Sequence, residues 1–409
     1  MTTQTTRNIP SNATAVRFAR RAVTVAALVG VIALGFGFEA AGNADALTAA
    51  QASTGYAMKV VRTTGIGVPR GLTQLPDGSL LIADMGGWEK NTGRVLRVAG
   101  PPFTGKPTVL FTRVDRPHGI VIGPDKLVYV GEPGRVFRFD PTASTPTKEY
   151  VIGAVGATGA AAAMPIRKTH LHPLAQILFL ADGSLLVNFG SDSNNCATDS
   201  KRATCRAATG SDAVSVVRRY RFDKPGGKVV SWSLMASGLR NSMAMVQHSS
   251  GTVLQVENSR DAIDEADPKL SDERLPHDEL NELVAGRSYG WPYCYDNQVN
   301  SPEFTKYACK STTSPLRLLP AHSAPLGMTY WKGKLVISYH GYRDTGHRLV
   351  AFPTDAAGRP SGPSTEILGG WAETDSLAPG GPVGVIAAQD GSLLVVDDRN
   401  GTLLQVTTK

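Results

Sequence analysis

The chain has 409 residues, of which 42% are hydrophobic and 19% charged, a composition that builds a globular core and argues against intrinsic disorder. The formal net charge of +7 falls to +5 without the first 46 residues, which hold four arginines and two acids. No basic run carries interleaved aromatics, so nucleic acid is not an expected partner. Forty-three glycines and 26 prolines predict many turns and few long helices.

At the N-terminus, Arg17, Arg20 and Arg21 precede an uncharged apolar stretch of 17 residues, 22–38, and Ala44-Asp45-Ala46 then offers a small-residue cleavage site. Residues 1–46 therefore read as an export signal. That leaves 47–409 as one domain of a periplasmic or secreted protein, with no stable membrane insertion after cleavage. The alternative is an uncleaved anchor, because 17 residues lie at the lower edge of a bilayer span.

Beyond residue 58 one pattern recurs six times: a tight turn followed by a β-rich strand. The turn at 76–79 leads into LLIAD, 124–126 into LVYVGE, 181–184 into LLVNF, 249–251 into TVLQVEN, 332–334 into LVISYH, and 389–392 into LLVVDD. Second strands follow at 93–98, 134–139 and 401–406. Antiparallel units at such intervals predict an all-β fold, a six-bladed β-propeller, with strand-like residues 58–63 closing the ring against the last blade. The longest gaps, from Gly183 to Gly251 and from Gly251 to Gly333, predict long functional loops on one face. Segment 153–163, rich in Ala and Gly, reads as a connection.

The four cysteines are even in number, and proximity pairs Cys196 with Cys205 and Cys294 with Cys309. Neither pair has the C-x-x-C spacing of a zinc site or dithiol redox motif. Among eight histidines, His172 stands just before a blade strand, where an imidazole can take a proton near neutral pH. With His170 it forms an H-x-H pair that would share a strand face. Arg240 and Asn241 join a guanidinium and an amide, suited to a carboxylate or quinone oxygen; a surface salt bridge is the plainer reading. Glu257, Asp261, Asp264, Asp278 and Glu279 offer hard oxygens for calcium, or a solvated acidic loop. No Gly-x-Ser-x-Gly elbow or phosphate loop appears.

Several of these segments, in the same order, resemble one family. HPLAQILFLADGSLLVNFGS (172–191), GLRN (238–241), ENSRD (257–261), HDELN (277–281), YGWPYCY (289–295), AHSAPLG (321–327) and GPVGV (381–385) resemble the soluble pyrroloquinoline quinone (PQQ)-dependent sugar dehydrogenases, the glucose/sorbosone dehydrogenase family, over roughly residues 65–406. The resemblance implies a quinone on the propeller mouth and oxidation of an aldose or related polyol, with electrons passed to an acceptor it does not identify. It implies His172 as general base, and Arg240 and Asn241 as residues that hold the quinone, with Arg343 as a further cofactor-facing cation. Backbone oxygens near Ser259 and Arg260 would ligate a Ca²⁺ that touches the quinone, and Glu279 and Tyr289 a structural Ca²⁺. The chain departs from the family at Gly381, where an arginine often stands, and at Ser259 and Arg260, which replace glycines. The other functions open at this stage are a calcium-dependent lactonase-type propeller hydrolase and a non-catalytic sugar-binding propeller.

Overall fold

The computed structural model describes residues 50–62, 64–164, 170–196, 205, 208, 213–371 and 380–409. All lie within the unit Asn43–Lys409. The export-signal expectation falls outside the described residues.

Six sheets follow one another along the chain, antiparallel except where Arg287–Ser288 adds parallel to Val229–Ser237 at the edge of the third. Their inner strands are Pro69–Gln74, Ile120–Ile122, Ile177–Phe179, Ser242–Gln247, Pro325–Trp331 and Pro382–Ala387, here numbered blades I to VI. Each inner strand touches the next, and that of blade VI touches that of blade I, so the sheets close into the expected six-bladed ring. Tyr56–Arg62 is the outer strand of blade VI and pairs antiparallel with Thr402–Thr408, which joins the two ends of the described chain. The expected closure is thus observed, over Tyr56–Arg62. Among the described residues the single α-helix is the short Ile263–Ala266.

The six repeated turns each open the second strand of a blade, because the turn chemistry is built locally. In blade I, Gly78 sits at φ +83, where a glycine carries no Cβ penalty, and Asp77 Oδ1 accepts from both N and Oγ of Ser79. Asp182/Ser184 and Asp390/Ser392 repeat this in blades III and VI. A third-strand side chain then grips each turn: Arg97 on Asp77, Arg219 on Asp182 and Gln405 on Asp390. The second strands are buried on both faces, as in LLIAD (80–84) and LLVVD (393–397), which explains their unbroken apolar runs.

A second repeated device sits at the opposite end of the blades. A polar side chain near the end of the second strand accepts the backbone N–H of the segment that enters its own inner strand. Asp84 takes Gly67 and Val68, Glu132 takes Asp115, Asn188 takes Gln176, Glu257 takes Arg240, and Asp397 takes Gly381. Four of these five acceptors are carboxyl side chains, and a hydrogen bond of this kind contributes about 0.5–1.5 kcal/mol net. They fix the loops around the propeller mouth.

Both expected disulfides form, Cys196–Cys205 and Cys294–Cys309. They pack together with Trp291, Tyr293 and Phe304 in a satellite core beside blades III and IV.

Candidate functional site

Register places the start of an inner strand opposite the end of its second strand: Pro69 faces Asp84, Ser242 faces Glu257, and Pro382 faces Asp397. At this end of the ring a cavity of about 310 Å³ opens. Its apolar lining includes Val68, Met85, Leu174, Met243 and Leu326, and its polar lining includes Arg70, His172, Asn241, Asn258, His340, Asp398 and Arg399.

His172 precedes the blade III inner strand, as its position in the sequence predicted. Its backbone N–H bonds Ser191 O at 3.0 Å, and its Nδ1 lies 2.8 Å from Ser191 Oγ. The single proton of that hydroxyl goes to Ser193 O at 2.7 Å, so Nδ1 is the donor to Oγ and carries the ring proton. The lone pair is therefore on Nε2, which no described residue bonds. Burial first, and then the Arg240 guanidinium, hold this imidazole well below its ordinary pKa, so it is neutral at pH 7. Gly190 permits the packing: a Cβ there would lie 2.6 Å from His172 Cβ and 3.2 Å from Asn241 Oδ1. The H-x-H pair does not share a strand face. Blade III begins only at Ile177, and His170 Nε2 is tied to Gly190 O at 2.8 Å.

Asn241 and Asn258 face the same cavity, and each presents a buried Oδ1 without a hydrogen-bond partner among the described residues. Two such carbonyls on residues of one cavity wall call for a donor or a cation. Arg240 lies behind them. Its side chain is 3% exposed, and it donates to Asn194 O and Oδ1, Asn258 O, Ser259 O and Asp261 Oδ2 at 2.6–3.1 Å. It therefore binds the wall together from inside rather than lining the cavity. Arg343 does not line the cavity either; its guanidinium sits on the Asp272 carboxylate and near Glu273 Oε1 at 3.2 Å.

Ser259, Arg260, Glu279 and Tyr289 do converge, and Glu257 joins them around one small pocket of about 20 Å³, room for a single ion. Glu257 Oε2 is buried without a partner. Burial pushes the Glu257 carboxyl up to about 8, and burial together with Glu257 pushes Glu279 well up, because two adjacent buried carboxylates do not both ionise without a cation. Among the described residues no three Asp, Glu, His or Cys side chains gather at metal distance, so an ion here would need backbone carbonyls as well. Ser259 O is already an acceptor for Arg240, and the Tyr289 hydroxyl is committed to Glu282 O at 2.5 Å. The Arg260 side chain is held by Glu303 at 2.7 Å. Of the remaining acids, Asp278 accepts from Ser259 N, Ser323 Oγ and Ala324 N, Asp261 pairs with Arg240, and Asp264 is exposed on the short helix.

Four cavity residues escaped the sequence reading: Arg70, His340, Asp398 and Arg399. Arg70 Nη1 meets Asp398 Oδ2 at 2.5 Å, and Asp398 Oδ1 meets His340 Nε2 at 2.9 Å. The Arg399 guanidinium lies 3.9 Å from the centre of the Tyr342 ring. The signal that could have found two of them is the repeat itself, since His340 and Asp398 directly follow the second strands of blades V and VI, level with the residues that clasp the loops elsewhere. Gly381 is explained by the same pair. A Cβ there would come within 2.6 Å of His340 Nε2 and 2.9 Å of Asp398 Oδ1, so a larger residue and this pair exclude each other.

Comparisons with known proteins follow the same outline. The chain is 24% identical over 403 aligned positions to the pyrroloquinoline quinone-dependent pyranose dehydrogenase of Coprinopsis cinerea, covering 82% of this chain and 52% of that protein. The chain spans about half the length of the curated relatives it matches. Two solved structures superpose over 88% of it: the Trichoderma reesei Carbohydrate-Active Enzymes Family AA12 protein in its iodide form (TM-score 0.69, 20% identity, 98% of that chain) and the holo PQQ domain of the Coprinopsis cinerea pyranose dehydrogenase (TM-score 0.67, 18% identity, 97% of that chain). At these identities the structures establish the shared propeller. A family model, TrAA12-like, matches residues 50–307, from the first described residue through blades I to III into the loops of blade IV, including His172, Asn241 and the small acidic pocket, and the chain belongs to that family.

Proposed function

We infer that this protein is an exported oxidoreductase that oxidises an aldose or related polyol, using PQQ held in the mouth cavity. The observation that carries the reading is His172, a neutral imidazole whose Nδ1 proton is spent on Ser191 and whose Nε2 is open on the cavity. The PQQ named for the Coprinopsis cinerea relative and its holo domain supports the choice of cofactor.

The residues fit a flat anion. The lining is apolar on one part and carries Arg399 and, paired with Asp398, Arg70 as cations, while the Asn241 and Asn258 Oδ1 atoms are left to accept from a hydroxyl of the substrate. The bound quinone would supply the hydride-accepting chemistry. His172 Nε2 takes the proton of the substrate hydroxyl, and Ser191 holds the ring in the tautomer able to do so. Arg240 acts from behind the wall, where its charge favours negative charge in the cavity while its hydrogen bonds fix Asn194 and the 258–261 loop. In place of Arg343, which is engaged by Asp272, Arg399 is assigned the cofactor-facing charge.

The buried Glu257–Glu279 pair, with Ser259, Arg260 and Tyr289 around it, is assigned a Ca²⁺ that replaces the missing counter-charge and locks the loop forming the cavity wall. Most clasp carboxylates around the mouth are committed to backbone amides, which favours this reading over a calcium-dependent lactonase with acids free in the channel.

The test is to add PQQ and Ca²⁺ to purified protein and follow dye reduction with a panel of sugars. Reduction that depends on both quinone and sugar supports the reading. No reduction with any sugar would overturn it, and lactone turnover in its place would establish the hydrolase.

A further inference from the structure

The cavity has a second imidazole that the chemistry assigned to His172 does not use. His340 enters from blade V, and its Nε2 faces Asp398 Oδ1 at 2.9 Å. A carboxylate only accepts, so Nε2 carries the proton and Nδ1 holds the lone pair. No described residue bonds Nδ1, and His340 lines the cavity. Behind the pair, Arg70 bonds Asp398 Oδ2 at 2.5 Å, and its Nε reaches His118 Nδ1 at 3.3 Å. The rings of His340 and Tyr342 stand edge to face with centroids 5.7 Å apart, and Arg399 lies over the Tyr342 ring. The groups facing His340 are therefore one carboxylate, two guanidiniums and a phenol ring. The missing Cβ of Gly381 leaves room for the pair.

We propose that His340, held by Asp398, is a ligand-linked proton acceptor, neutral in the empty cavity and protonated at Nδ1 when an anion such as the quinone binds. The inference rests on the reading that PQQ occupies this cavity. In the free protein, burial keeps the imidazole neutral and the two arginines oppose the pull of Asp398. A bound polycarboxylate adds negative charge on the open side of the ring and turns Nδ1 from an acceptor into a charged donor. One proton comes from solvent and forms the Nδ1–H bond, while the Nε2 proton stays on the ring and remains donated to Asp398 Oδ1. His172 is set apart from this change because burial, Arg240 and His170 oppose its protonation and outweigh Asp261, so it remains a neutral base while His340 charges. The two imidazoles thus divide the work of accepting substrate protons and answering the charge of the cofactor.

Calorimetric titration with PQQ at pH 7, repeated in buffers of different ionisation enthalpy, measures the proton uptake directly. The wild type should take up about one proton per quinone bound. Its Kd should rise with pH, by up to about tenfold per unit between the free and bound pKa values of His340. In H340Q the uptake should fall by about one proton and the pH dependence should flatten. Imidazole nitrogen NMR of the wild type, free and quinone-bound, reads the same event without a variant: the His340 Nδ1 signal should move to the protonated range and that of His172 should not. Quinone binding with no proton uptake, or with uptake unchanged in H340Q, overturns the inference and leaves the quinone reading standing. No binding of quinone at all overturns both.

Discussion

Replacing Ser191 by alanine is the most informative perturbation of the base. Ser191 is fully buried, and its hydroxyl accepts from His172 Nδ1 at 2.8 Å and donates to Ser193 O at 2.7 Å. The change removes one oxygen and no packing carbon, so the backbone bond from His172 N to Ser191 O is retained. What is lost is the preference for the Nδ1–H tautomer, worth the net value of one hydrogen bond, about 0.5–1.5 kcal/mol. Turnover with saturating quinone and sugar should therefore fall about 2- to 13-fold, while the quinone titration curve stays put. Imidazole nitrogen NMR should show the second tautomer rising in the variant. An unchanged rate with an unchanged tautomer would refute the assignment of Nδ1 as donor. A loss as deep as that from deleting His172 would mean that Ser191 takes part in the chemistry itself.

The other predictions concern the same cavity and its supports. His172→Gln should lower turnover by about 100-fold or more with little change in quinone affinity; full activity would remove His172 from its role. Arg399→Gln should weaken quinone binding and Arg343→Gln should not, which a fluorescence titration decides; the reverse order would restore the cofactor-facing role to Arg343. Ca²⁺ should raise the melting temperature of the wild type and fail to do so in Glu279→Gln, and equal shifts in both would place the ion elsewhere. Burial alone would raise the Asp398 carboxyl, but His340, Arg70 and Arg399 outweigh it and hold it at about 2. A depressed carboxyl stabilises the fold above the unfolded value, near 4, and loses that contribution as pH falls toward 2, a loss of about 2–3 kcal/mol. Unfolding measured between pH 5 and pH 2 should show a shallower acid loss in Asp398→Asn, and identical acid limbs would contradict the pairing.

The ring was legible in the sequence because the devices that build it are local. A turn such as Asp77-Gly78-Ser79 is closed by its own atoms and followed by a strand buried on both faces, and six copies spell out six blades. The disulfides were legible for the same reason, since each closes a short loop. The position of His172 followed from its place just before an inner strand. What each cation of the site does was not legible, because a guanidinium goes to whichever acceptors the fold brings near. Arg343 meets Asp272 across 71 positions, and Arg70 meets Asp398 across 328. Arg240 was expected to hold a carboxylate or quinone oxygen or to form a surface salt bridge, yet its donors are shared among Asn194, the 258–259 carbonyls and Asp261, from loops on two blades. A strand pattern reports which face is buried, whereas the occupant of a cavity wall depends on how neighbouring blades meet. The propeller was thus written in local hydrogen bonds and hydrophobic runs. Only ring closure decided that His340, Asp398 and Arg399 would face His172 and that Gly381 would have to be small.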